Sequence, residues 1–290
     1  MSSFDCIWQA EAVLGEAPWW DTETALLYWV DIDGRAVFRL DPATGVRCRF
    51  DVDHEVGCIV PRENGGFVTA IDCGLAYLDA GLTKFDIFAT PEKGEPKTRF
   101  NDGKCDRRGR LWAASTDMEE NEPLAALYCL HGSGKLVRET SGVIVGNGLG
   151  WSPDNSTMYF TDTGLGIIFA FDYDIETGKT DNRRVFARVD DTTGYPDGLT
   201  VDAEGYVWSA HWLGWRITRY DPDGRIDRTI DLPVPNVTSL AFGGASLDQL
   251  YVTSARMGLT DGQIGEAPLS GSLFVVDTGI CGLPETRFAG

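Results

Sequence analysis

Motifs that announce several common chemistries are missing from this sequence. It has no C-x-x-C pair, no H-E-x-x-H, no G-x-S-x-G elbow and nowhere a run of 18 apolar residues. These gaps argue against a structural zinc site, a zincin, an α/β-hydrolase and a membrane-spanning helix respectively. Histidine is scarce: His54, His131 and His211 are scattered along the chain, which leaves a histidine-rich metal cluster or a Ser-His-Asp triad without support. The seven cysteines are odd in number and widely spaced, so they read as free thiols in a reducing compartment and not as a disulfide framework. Positive charge is in short supply. Lys and Arg total 25 against 44 Asp and Glu, a formal net charge of −19, which repels phosphate backbones and anionic lipid surfaces. The start "MSSFDCIWQAEAVLG" has no basic segment followed by an apolar run, so no secretory leader is expected. The expectation is a soluble, cytoplasmic protein with no nucleic-acid, membrane or obligate protein partner.

What the chain does have is a repeat. A polar turn followed by a β-type apolar run recurs six times, as "DTETALLYWVD", "ENGGFVTA", "DRRGRLWAAS", "PDNSTMYFTD", "DAEGYVWSA" and "ASLDQLYVTS". Aligned at Tyr28, Phe67, Leu111, Tyr159, Val207 and Tyr251, the copies lie 39 to 48 residues apart, the span of one four-stranded propeller blade. Each is followed by a second run ending in another turn, such as "GRAVFRLDPATG" or "RITRYDPDG". Pro presets φ at such corners and Gly takes positive φ, so these runs read as antiparallel hairpins. Long periodic helical segments are scarce, which disfavours a doubly wound α/β fold. "GNGLG" looks like part of a dinucleotide fingerprint, but no helix pattern follows it. The reading is an all-β fold: a six-bladed β-propeller with four antiparallel strands per blade around a central channel, residues 1–290 forming one domain. The leading segment "FDCIWQA" is placed as the strand that closes the ring onto the final blade.

The start of each innermost strand faces the mouth of that channel. In order these starts read "GEAPWW", "GCIVPR", "FNDGKCD", "GNGLGWS", "PDGLTVD" and "VTSLAFG", presenting Glu16, Cys58, Asn101, Asn147, Asp197 and Thr238. Asp and Asn are poor strand residues, so their repeated use at one position asks for a reason. Radial symmetry supplies one, because equivalent positions converge on the axis. Oxygen ligands carrying the charges of Glu16 and Asp197 repel one another there unless a cation neutralises them. Hard oxygen donors favour Ca²⁺, Mg²⁺ or Mn²⁺, with Zn²⁺ and Fe²⁺ also compatible.

The segments "LGEAPWW", "RFNDGKCDRRGRLWAAS", "GNGLGWSPDNSTMYFTDT", "YPDGLTVDAEGYVWSAHW" and "LYVTSAR" together resemble the senescence marker protein, gluconolactonase and luciferin-regenerating enzyme family over nearly the whole chain. The resemblance implies a six-bladed propeller that opens sugar lactones with one divalent metal, Ca²⁺ being the first expectation. It places the metal ligands on Glu16, Asn147 and Asp197, with Asp197 also as the catalytic base. It places substrate contacts on Arg99, Asn101 and Glu119. The implied reaction is hydrolysis of an aldonolactone of pentono or hexono type to the open-chain sugar acid. Two other readings stay open, a phosphotriesterase-type hydrolase and a non-catalytic calcium-binding propeller. The segment "HWLGWR" departs from animal members and resembles bacterial sugar-acid-pathway versions, which points to a different sugar.

Overall fold

Aromatic and β-branched runs separated by Asp/Gly-rich turns fold locally into hairpins, and successive hairpins join into sheets. The computed structural model, which describes residues 4–290, contains six sheets of four antiparallel strands each. In blade 1 the strands run Gly15–Asp21, Leu26–Asp31, Ala36–Asp41 and Val46–Asp51, from the innermost outward. Blades 2 to 5 repeat that order, starting from the innermost strands Val56–Pro61, Thr98–Cys105, Gly146–Trp151 and Tyr195–Val201. In blade 6 the order is Val237–Gly243, Gln249–Ser254 and Leu273–Asp277, and the outermost strand is the N-terminal Phe4–Trp8. Phe4 pairs with Val276 and Asp5 with Val275, so the first and last strands share one sheet and the ring is clasped shut. Each innermost strand touches the innermost strands on either side, and the sixth touches the first. This is a closed six-bladed propeller.

Burial follows radius. Gly15–Asp21 and Gly146–Trp151 are buried at every position, whereas Val46–Asp51 is exposed or half-buried throughout. Most inner strands are covered on both faces by neighbouring blades, the exception being Thr98–Cys105, where Arg99, Asn101 and Lys104 are half-buried. Trp29, Trp112 and Trp208, on the second strands, are fully buried between blades.

Two inner hairpins are locked by a buried carboxylate. The Asp106 Oδ2 atom accepts hydrogen bonds from Arg110 Nε at 2.6 Å, Trp112 Nε1 at 3.1 Å and Tyr173 OH at 2.5 Å. Asp202 repeats the device with Trp208 Nε1 at 2.9 Å and Arg219 Nε at 2.8 Å. Both carboxylates are fully buried, and both lie just past the C-terminal ends of innermost strands. The same end of the ring is crossed by the C-terminal tail. Gly282 bridges Asp202, Phe288 bridges Arg62, and Ala289 donates its N–H to the Gly109 carbonyl. Glu285 meets Lys104 at 3.0 Å inside the ring, and the cleft remaining there holds only about 30 Å³. The channel is therefore blocked at this end.

Among the described residues one α-helix occurs, Asp261–Glu266, started by a Thr260–Gln263 capping box, and no helix is long and apolar enough to cross a membrane. That helix belongs to an excursion of blade 6 that carries Met257 and Gly258 over the open end. Asp106→Ala is expected to lower unfolding stability by about 3–5 kcal/mol, because it strands the Arg110 charge and two ring donors away from water. Urea unfolding of the variant and the parent protein measures the difference.

Candidate active site

All six innermost strands break register with their neighbour near the open end. The breaks fall between Glu16 and Trp19, Val56 and Cys58, Phe100 and Asp102, Asn147 and Leu149, Pro196 and Leu199, and Val237 and Leu240. A β-bulge bends its strand and re-aims a side chain that the regular pleat would point elsewhere. Here the six bulges ring the channel mouth. The flanking glycines answer to crowding: a Cβ on Gly148 would sit 2.7 Å from the Asp197 carbonyl oxygen, and one on Gly198 would sit 2.2 Å from Ser239 Oγ. "GNG" and "PDG", which look like turns, are strand segments in which the axis leaves no room for a side chain.

Glu16, Arg99, Asn101, Asn147 and Asp197 all line one cavity of about 210 Å³ at this mouth. Its apolar wall includes Leu14, Val145, Trp212 and Met257. Asn147 Nδ2 donates to Thr163 Oγ1 at 3.1 Å, and Thr163 donates to the Pro196 carbonyl at 2.7 Å, so the amide is held with Oδ1 turned inward. Asn147 Oδ1 and Asp197 Oδ1 are both buried without a hydrogen-bond partner. Glu16 Oε2 accepts the Ala17 N–H at 2.8 Å. Arg99 Nη1 donates to Asn101 Oδ1 at 3.0 Å, and its Nε lies 3.9 Å from Glu55. Asn101 Nδ2 in turn donates to the Gly146 carbonyl at 3.0 Å.

Burial drives the electrostatics. The Asp197 carboxyl is pushed well above its usual range by desolvation and then by Glu16 and Asp102. Glu16 is raised as well, by desolvation and then by Asp102, against the opposing pull of the Ala17 N–H and Arg99. Asp102, behind them in the ring, is raised to about 6 by its own burial. The Lys104 ammonium lies deeper, engaged by Glu285 and the Leu199 carbonyl. Two orphaned buried oxygens beside crowded carboxyls form a hard donor set that fits a divalent cation.

Three positions depart from expectation, one of them Thr238, which is fully buried outside the cavity and donates its hydroxyl to the Gly15 carbonyl. Glu119 is not in the cavity: its carboxylate is 62% exposed and faces Lys97. Glu120 lines the cavity in its place. The Asp117 side chain caps this loop by accepting the N–H groups of Glu119, Asn121 and Glu122, and Glu120 adopts φ 57°, so the two neighbouring glutamates point apart. Cys58 is also absent from the mouth. Gly57 takes the bulge of blade 2, and Cys58 is packed in the core, its thiol pushed up to about 12 by burial. His211 is buried, with Nδ1 against the Thr193 carbonyl at 3.1 Å, and it takes no part in the cavity lining. Thr163, Trp212 and Met257 were not singled out from sequence. Only Thr163 carried a signal there, as the residue directly after an aligned strand in "YFTDT".

Fold and cavity together define a ring-shaped protein with one oxygen-rich, single-ended site on its axis. The chain belongs to the SMP-30/Gluconolactonase/LRE-like family, whose model matches residues 14–256. It is 38% identical to regucalcin of Danio rerio over 99% of this chain and 98% of that protein. It is 35% identical to 6-deoxy-6-sulfogluconolactonase of Pseudomonas putida over 98% of both chains. Among solved structures, regucalcin of Agrobacterium tumefaciens, described as a calcium-binding protein, superposes with a TM-score of 0.95 at 26% identity, covering 100% of this chain and 98% of that one.

A pH dependence follows from the raised carboxyls. Between the ordinary value of 4.5 and its folded value of about 8, Glu16 holds in the folded protein a proton that the unfolded chain has already released. Stability therefore falls as pH rises through that window. The denaturation midpoint of metal-stripped protein is expected to drop between pH 5 and pH 8. Saturating divalent cation or Asp197→Asn should flatten the drop, and equally steep profiles in all three samples would contradict the repulsion.

Proposed function

We propose that this protein hydrolyses a sugar lactone to the open-chain acid, using a divalent cation held by Glu16, Asn147 and Asp197. The observation that carries the reading is the pair of buried, unpartnered oxygens, Asn147 Oδ1 and Asp197 Oδ1, lining a closed-ended cavity with an apolar wall. The P. putida relative, named for a gluconolactonase activity, supports the substrate class. When bound, the cation would polarise the lactone carbonyl and make an attacking water more acidic.

The remaining chemistry falls to the chain's own side chains. Asp197 takes a proton from the attacking water as its oxygen bonds to the carbonyl carbon. As the bond between that carbon and the ring oxygen breaks, Asp197 returns the proton to the ring oxygen, which leaves as a hydroxyl of the open-chain acid. The Arg99 guanidinium, held by Asn101 and Glu55, offers its remaining N–H groups to sugar oxygens. Glu120, raised above its usual range by burial against the pull of the Arg99 charge, accepts from a sugar hydroxyl. Trp212, Leu14 and Met257 keep bulk water from the reacting carbonyl.

Asp197→Asn is expected to reduce lactone hydrolysis by about 10²–10⁴-fold or more while the protein stays folded by circular dichroism. Retained turnover would remove Asp197 from the mechanism, and undiminished turnover after chelation and dialysis would remove the cation. The neighbouring glutamates give an internal control. Glu120→Gln should raise KM by about tenfold through a lost charged hydrogen bond, whereas Glu119→Gln should leave both kinetic constants unchanged.

A further inference from the structure

A second group of ligand-type side chains sits on blade 2, apart from the channel-mouth cavity. Asp72 and Cys73 form the tight turn between the strands Phe67–Ile71 and Gly74–Leu78, and His54 lies just before the innermost strand of the same blade. His54 Nδ1 is 2.9 Å from Asp72 Oδ1, and together with Cys73 Sγ these ligand atoms all lie within 4.8 Å of one another. We propose that His54, Asp72 and Cys73 form a second metal site, built for a borderline-soft divalent cation of the Zn²⁺ type.

Nitrogen, oxygen and sulfur donors in one cluster suit Zn²⁺ and mismatch Ca²⁺ or Mg²⁺, which take oxygen ligands. Zinc bonds of this kind set neighbouring ligand atoms roughly 3.3–3.6 Å apart, so side-chain rotation of about an ångström closes the site. The parts are held ready for that. The His54 ring packs edge-on against Phe85, the Asp72 N–H donates to the Glu55 carbonyl at 2.9 Å, and the Cys73 N–H donates to Asp72 Oδ1 at 2.7 Å. Both of the Asp72 side-chain hydrogen bonds fall on Oδ1, which leaves Oδ2 to face a cation.

Asp72 and Cys73 also form part of the wall of a cavity of about 390 Å³. Glu92 lines the same cavity and brings a carboxylate oxygen, Oε2, that is buried without a hydrogen-bond partner. A fourth ligand, from water or a bound molecule, has room to enter there. Burial and the adjacent Asp72 carboxylate push the Cys73 thiol up, which makes it a poor free nucleophile. An arriving cation replaces the thiol proton, releasing one H⁺ per ion, and relieves the repulsion between thiolate and carboxylate. The ion would tie the outer turn of the blade to the segment leading into its innermost strand.

Co²⁺ is the probe, added to the full-length protein, because a thiolate ligand gives it a charge-transfer absorption in the near ultraviolet that oxygen and nitrogen ligands do not. The expected result, in protein whose channel-mouth site is first filled with Ca²⁺, is such a band saturating at one equivalent and displaced by Zn²⁺. It should be abolished in Cys73→Ser and should need at least tenfold more Co²⁺ in His54→Ala and in Asp72→Asn, with circular dichroism unchanged. Asp197→Asn, which alters only the channel mouth, should keep the band in full. No thiolate band in the parent protein, or a band that survives Cys73→Ser, overturns the proposal.

Discussion

Crowding of six strand ends around one axis is the constraint from which the rest of this structure follows. Inner strands packed that tightly leave room only for glycine at Gly148 and Gly198, and each must bulge where it meets its neighbour. Bulging turns Glu16, Asn147 and Asp197 toward a common cavity. Burial in turn makes their ionisation costly, so that a cation would offset the repulsion which the packing imposes. Site and fold are thus one piece of geometry.

The two ends of the channel are treated differently. At one end the C-terminal tail bridges blades 2 and 5, while Glu285 answers the Lys104 ammonium and little empty volume is left. Buried Asp106 and Asp202 tie arginine and indole donors together at that same end. At the other end, carboxyls outnumber cations and oxygens stay unpartnered. The contrast separates a face packed for stability from a face left open to a ligand, a division common in ring-shaped and barrel folds.

Much of this was legible beforehand because a propeller is periodic. Once the repeat is aligned, a residue's offset within it reports its radius and height in the ring, which is why Glu16, Asn101, Asn147 and Asp197 could be grouped without coordinates. The reading failed where periodicity stops. Glu119 and Glu120 lie in a capped loop whose left-handed residue decides which glutamate turns inward, and nothing local distinguishes the two. Cys58 failed for a smaller reason: the bulge of blade 2 falls one residue earlier, on Gly57, and a single step in a strand sends the side chain to the opposite face. His54, Asp72 and Cys73 escaped notice because the ladder between two strands, and not closeness in sequence, brings His54 to the turn.

By itself, then, the sequence determined the number of blades, the all-β architecture and the radial position of the axial carboxylate and amide groups, since turn chemistry and strand composition act over a few residues and recur at a fixed interval. Tertiary structure alone decided which face the C-terminal tail would close, which of two adjacent glutamates would enter the cavity, and how far burial would shift the carboxyls. Those outcomes depend on contacts between blades distant along the chain, and on the exclusion of water by all of them at once.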